Sequence, residues 1–170
     1  MQRIAKFEKV SEEQFVKDFL KVFPVSSEDD GKALYQKIKL PERATKGSAG
    51  YDFFALYGFT LQPGETKMVP TGVRVKMEEG WVLQIFPRSG LGTKFRMQLD
   101  NTVGIIDQDY YNSANEGHIF IKVTNDSKDL SILRVNGGSA FVQGVFVPFG
   151  ITEDDDAQAE RKGGFGSTGF

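Results

Sequence analysis

Between residues 33 and 150 the chain never runs far without a turn signal, which confines it to short strands. Val73, Val75 and Met77 alternate with Gly72, Arg74 and Lys76, the two-residue period of a strand with one buried face. Trp81–Phe86, His118–Val123, Ser131–Val135 and Ala140–Val147 are further short runs rich in β-branched and aromatic residues. Pro63-Gly64, Glu79-Gly80, Asn125-Asp126 and Asn136-Gly137-Gly138 separate them with residues that favour tight turns. Many short strands, tight turns and no helical period predict an all-β sandwich or barrel, best described as a jelly roll or distorted β-barrel. Most of the fifteen phenylalanines and the single Trp81 then belong to the core or to subunit contacts.

The flanks differ in texture. Residues 1–32 read as a helical extension: Ser11-Glu12-Glu13-Gln14 matches a capping box, and Phe15, Val16, Phe19, Leu20 and Phe23 follow at helical spacing until Pro24. Ser26 to Gly31 reads as a loop. The Phe-rich stripe predicts packing on the barrel or a neighbouring subunit, with a protein partner as the alternative. Residues 151–170 read as an acidic linker followed by a Gly-rich, flexible C-terminal arm.

The net charge of −2 offers no global attraction to nucleic acid or to an anionic membrane, so any phosphate binding must be local. With no cysteine, disulfides and thiolate metal sites are excluded, which fits a reducing compartment. The first ten residues lack the apolar run of a signal peptide, and a cytoplasmic location is the expectation.

Several loop-like segments carry chemistry. Pro87-Arg88-Ser89-Gly90 combines a planar donor fork, a hydroxyl and a residue that permits close backbone approach, which together suit a polyphosphate. Asn101 to Tyr110 places an amide, a glycine, two carboxylates and a phenol around a hairpin-like run. Of the two acids, Asp109 suits a solvated turn; Asp107 could cap a turn or activate a water. Gln143 could bind a ligand or bond across a sheet. Gly163 to Gly169 has four glycines, one ring and two hydroxyls, which fits an arm that orders over a phosphorylated ligand.

In order along the chain, Ala49-Gly50-Tyr51-Asp52, Pro87-Arg88-Ser89-Gly90, Gly104 to Tyr110, Gly138 to Gln143 and Arg161 to Gly169 resemble the five motifs of the trimeric dUTP diphosphatases, the dUTPases. The resemblance runs from about Tyr35 to the C-terminus. It implies a jelly-roll homotrimer whose three active sites lie at subunit boundaries and hydrolyse dUTP to dUMP and pyrophosphate with Mg²⁺. On this sequence it makes Asp107 the catalytic base for water attack on the α-phosphorus. Asn101 would pair with uracil, aided by main-chain groups near Gly104, Ile106 and Phe120, while Tyr110 would pack on the deoxyribose. Arg88, Ser89, Gly90 and Gln143 would bind phosphates. From the arm, Phe165 would cover the base, and Arg161, Gly166, Ser167 and Thr168 would hold the phosphate chain. Asp52 would approach the Mg²⁺ through water.

Two features depart from that pattern: the N-terminal helix, and an insertion at 111–115 that reads as an extended hairpin tip or a partner contact. His118, the lone histidine, is expected at a strand start facing solvent. Two rival readings follow. A regulator or nucleotide sensor on the same scaffold would explain the departures. A dCTP deaminase would require a glutamate where Lys122 stands.

Overall fold

The computed structural model describes residues 2–159, so the expectations for Arg161, Phe165, Gly166, Ser167 and Thr168 lie outside the described residues. Eleven strands and three α-helices follow in the order β1 (Ala5–Lys9), α1 (Glu12–Val22), α2 (Glu28–Tyr35), β2 (Tyr51–Phe54), β3 (Phe59–Leu61), β4 (Thr66–Pro70), β5 (Val73–Met77), β6 (Trp81–Pro87), α3 (Ser89–Phe95), β7 (Met97–Leu99), β8 (Gly104–Ile106), β9 (Phe120–Asn125), β10 (Leu133–Val135) and β11 (Ala140–Pro148). A single 3₁₀ turn, Gln108–Asn112, follows β8. The fold is mostly β, as expected, and every strand pair is antiparallel. The largest sheet has the order β2-β11-β6-β8, and β4-β9-β7, β1-β5 and β10-β3 complete the set.

The alternation along β5 is realised: Val73, Val75 and Met77 are buried while Lys76 is exposed. Phe53, Leu83, Ile85, Val123 and Phe141 meet them in one apolar cluster. Gly144 on β11 is required by this packing, because a Cβ there would lie 2.8 Å from Leu83 and 3.0 Å from Phe53.

Three sequence expectations change. First, the extension contributes a strand: β1 pairs with β5 from Ala5↔Met77 to Lys9↔Val73. Its residues are exposed or half-buried, so it carries no apolar alternation to read. Second, the segment taken as a loop starts α2. Ser27 and Asp30 form a reciprocal capping box, and Gly31 is the glycine of a helix crossing, since its Cβ would sit 3.2 Å from Phe19 and Val16 of α1. Third, α3 and the 3₁₀ turn lie within the β region, just after β6 and β8.

Helix α1 docks on the β-sheets of its own chain. Phe15, Val16 and Phe19 are buried, and Ser11 caps the helix by accepting from the Gln14 N–H at 3.1 Å. The reciprocal half of this box comes from elsewhere: the Ser11 N–H and hydroxyl donate to Glu116 at 2.8 and 2.7 Å. The 111–115 insertion and the residues after it are tied to the N-terminal segment at two more points. Tyr111 donates to Glu8 at 2.7 Å under the Arg74 guanidinium, and His118 Nδ1 meets Asp18 Oδ2 at 2.9 Å. The N-terminal segment is therefore tied to the start of the insertion through β1 and to the residues just after it through α1.

His118 is 0% exposed, which overturns the expectation of a solvent-facing residue. The Gly72 N–H donates to Nε2 at 2.8 Å, so the proton sits on Nδ1 and is donated to Asp18. Burial holds the imidazole pKa below its ordinary 6.5, with Asp18 and Glu116 pulling upward and Lys21 downward. Burial pushes Asp18 up, but hydrogen bonds from His118, Gln14 and Lys21 outweigh it and bring the carboxyl to about 2.

Both groups bind protons more readily in the unfolded chain. Stability is therefore full above pH 6.5, falls as the pH drops below the ordinary imidazole value, and falls again below the ordinary carboxylate range toward about 2. Thermal melts of wild type are expected to lose midpoint temperature between about pH 7 and pH 5, and His118→Gln to lose this limb. A wild-type midpoint that stays flat across that range would refute the buried neutral imidazole.

Candidate active site

The motif residues gather in two groups. The first sits where β2, β11 and the end of β6 adjoin. Gln143 is the register partner of both Asp52 and Phe86, which puts the amide between the acid and the Pro87-Arg88 segment. Arg88 Nε lies 3.2 Å from Asp52 Oδ1, and Gln143 Nε2 donates to the Pro87 carbonyl at 3.3 Å. Gly50 is fixed by this arrangement, because a Cβ there would come within 2.5 Å of Gln143 Oε1. Arg88 is the extended N-cap residue of α3, and Ser89 and Gly90 open that helix on the surface. A Cβ at Gly90 would meet nothing among the described residues, so crowding within the chain does not demand glycine there. The Ala49-Gly50-Tyr51-Asp52, Pro87-Arg88-Ser89-Gly90 and Gly138 to Gln143 segments thus converge in three dimensions.

The second group surrounds a cavity of about 340 Å³ under the β7–β8–β9 strands, lined by Asn101, Gly104, Ile106 and Phe120. Its floor is apolar, with Ile85, Leu99 and Ile121. Gly104 is needed because its register partner Ile85 would press a Cβ at 3.0 Å. At the rim Lys122 Nζ pairs with Asp100 Oδ2 at 2.6 Å. Burial raises the Asp100 pKa, but bonds from Lys122 and Thr124 outweigh it and leave the carboxyl below its ordinary value. Sequence reasoning missed Asp100 as a site residue; its position directly before Asn101 was the available signal.

Asp107 follows β8 directly and is exposed. Its carbonyl, rather than its carboxylate, accepts the closing Tyr110 N–H of the 3₁₀ turn at 3.2 Å. Tyr110 is 4% exposed, donates to the His118 carbonyl at 2.7 Å and accepts from Asn115 at 2.9 Å. It braces the hairpin from inside.

The two groups are far apart within one chain. Ile106 is paired with Leu83, so Asp107 stands beside Val82, whereas Arg88 lies just beyond the other end of β6. Six residues of strand separate them, roughly 20 Å at about 3.3 Å per residue. That backbone separation is longer than a triphosphate chain.

Among the described residues, no set of three or more His, Asp or Glu side chains could hold a metal ion. A half-buried Asp52 supplies an oxygen that fits Mg²⁺ only in the manner that ion prefers, with waters and substrate phosphates completing its shell. No helix among the described residues is long and apolar enough to cross a membrane.

A sequence profile described as dUTPase matches residues 36–169. The deoxyuridine 5'-triphosphate nucleotidohydrolase of Lactococcus lactis subsp. lactis is 44% identical over 135 residues, covering 78% of this chain and 89% of that one. The crystal structure of a dUTPase from Streptococcus mutans superposes with a TM-score of 0.63 at 33% identity, covering 86% of this chain and 98% of that one. A mutant dUTPase from phage phi11 of S. aureus, described as coordinating a structural Mg(II) ion, shares the fold at a TM-score of 0.63 and 22% identity, covering 92% of this chain and 98% of that one.

Proposed function

The chain belongs to the dUTPase family, and from that premise we propose that it hydrolyses dUTP to dUMP and pyrophosphate at sites shared between subunits of a homotrimer. One observation carries the reading: a cavity of pyrimidine scale is lined by Asn101 and by β8, and the residue directly after β8 is the exposed Asp107. A base held in that cavity brings its own 5′-phosphate toward the carboxylate that follows the strand.

Asn101 and the main chain of Gly104, Ile106 and Phe120 offer the donors and acceptors that match a uracil edge. Asp107 takes a proton from a water as its oxygen attacks the α-phosphorus. The bond from that phosphorus to the bridging oxygen breaks, and pyrophosphate leaves with the electron pair. Arg88, with Ser89, Gly90 and Gln143, holds the phosphates from a neighbouring chain, and the fork of Arg88 offsets charge that develops on them. When bound, Mg²⁺ neutralises phosphate charge beside Asp52. Arg161, Phe165, Gly166, Ser167 and Thr168 are assigned to closure over the substrate by the motif resemblance alone.

The roughly 20 Å of backbone between Asp107 and Arg88 supports shared sites, in which a neighbouring chain supplies the phosphate-binding segment. A cytoplasmic nucleotide hydrolase fits the cysteine-free sequence. The deaminase reading fails on chemistry, since Lys122 stands where a carboxylate would be required and is already paired with Asp100. The regulator reading was motivated by α1 and the insertion, and the bonds from the N-terminal segment to Tyr111, Glu116 and His118 favour a role for both within the chain.

Pyrophosphate release should be assayed with dUTP, dTTP, dCTP and UTP in the presence of Mg²⁺. Turnover is expected for dUTP alone. Equal turnover of UTP or dTTP, or ammonia release from dCTP, would overturn the assignment.

A further inference from the structure

We propose that the buried Asp18–His118 pair is a positioning device for the base pocket, through which the docked N-terminal helix holds Phe120 and Tyr110 in register for substrate. This rests on the reading of the 340 Å³ cavity as the uracil pocket.

Docking of α1 does not itself need the pair. Phe15, Val16 and Phe19 already bury an apolar face, and putting a carboxylate and an imidazole beneath it costs free energy unless both are fully bonded. Here both are. Asp18 receives Gln14 Nε2 at 2.7 Å, Lys21 Nζ at 3.0 Å and His118 Nδ1 at 2.9 Å. With Nε2 accepting from the Gly72 N–H, the ring is clamped at both nitrogens and cannot turn. Such a clamp buys orientation, and its outputs lie in the site.

Two outputs leave His118. Its ring packs on Phe120 with centroids 4.4 Å apart, and its carbonyl accepts from the Tyr110 hydroxyl at 2.7 Å and from Asn115 at 3.2 Å. Phe120 lines the base cavity on one side. On the other it lines a second cleft, of about 360 Å³, together with Gln14, Lys17, Asp18 and Lys21 of α1. Phe120 therefore stands between helix and base pocket. The charged groups facing the imidazole are Asp18 and Lys21 from α1 and Glu116 just after the insertion. A second proton on His118 would set Nε2–H against the Gly72 N–H, releasing the clamp and the ring that supports Phe120.

A loosened base pocket weakens ground state and transition state alike, so the effect belongs in KM and leaves kcat in place. In the full-length protein, Asp18→Ala is expected to raise the KM for dUTP about tenfold with kcat within about twofold, while Asp18→Asn, whose amide oxygen still accepts from Nδ1–H, stays within about threefold of wild type. The wild-type KM is expected to rise as the pH falls and His118 takes up its second proton. In His118→Gln, whose amide oxygen can accept from Gly72 without titrating, that rise is expected to disappear.

A folded Asp18→Ala with wild-type KM would make the pair merely structural and overturn the proposal. Should that variant not fold, the pH profiles decide, and identical KM profiles for wild type and His118→Gln would overturn it. A wild-type chain that fails to hydrolyse dUTP would instead overturn the functional reading on which the proposal rests.

Discussion

Asp107→Asn is expected to lower pyrophosphate release from dUTP by about 10²–10⁴-fold, the range by which a positioned general base accelerates a reaction. The amide keeps the shape of the carboxylate but cannot take the proton of the attacking water. Asp107 is exposed and its turn is closed through its carbonyl, so the variant is expected to keep the fold. Affinity for dUTP should survive, since the cavity is lined by other residues. Single-turnover assays beside a thermal melt and a binding titration separate these quantities. A variant that binds dUTP and turns it over within tenfold of wild type would remove Asp107 from the chemistry.

The second large effect is a recovery. Arg88→Ala and Asp107→Asn should each be nearly inactive alone, one lacking the phosphate fork and the other the base. Co-expressed and purified as mixed oligomers, they should regain activity. A site that takes Asp107 from an Arg88→Ala chain and Arg88 from an Asp107→Asn chain is intact. With random assembly that arrangement arises in about one site in four, so about a quarter of wild-type turnover is expected. The register of β6 with β8 makes this a strict test, because a self-contained chain would have to close a gap of roughly 20 Å. Mixed oligomers as inactive as their parents would refute shared sites.

What could be read in advance was local. The alternation of Val73, Val75 and Met77 declares a strand because the period and the buried face are both short-range. Ser11 declares a helix start for the same reason. The box of Ser27 and Asp30 was equally legible and was passed over for the loop-like composition around it. The motif segments were legible as chemistry, and the contact of Asp52 with Arg88 joins two of them.

The interior polar pairs lay out of reach. His118 finds Asp18 across 100 residues, and nothing near position 118 announces that a carboxylate will arrive from the helix. The partner of the Tyr110 hydroxyl was hidden for a related reason: it lies across the insertion, whose path only the folded chain defines. Asp100 was missed for the same reason, since it meets Lys122 only when β9 returns beside the turn after β7.

The lacing of Glu116 to Ser11, Tyr111 to Glu8 and His118 to Asp18 has a consequence for anyone recombining such genes. A chimera that imported the long hairpin onto a backbone lacking the N-terminal stretch would leave an acid, a phenol and an imidazole stranded. One that imported the stretch alone would expose the aromatic underside of a helix. The pair has to be inherited, or transplanted, as a unit.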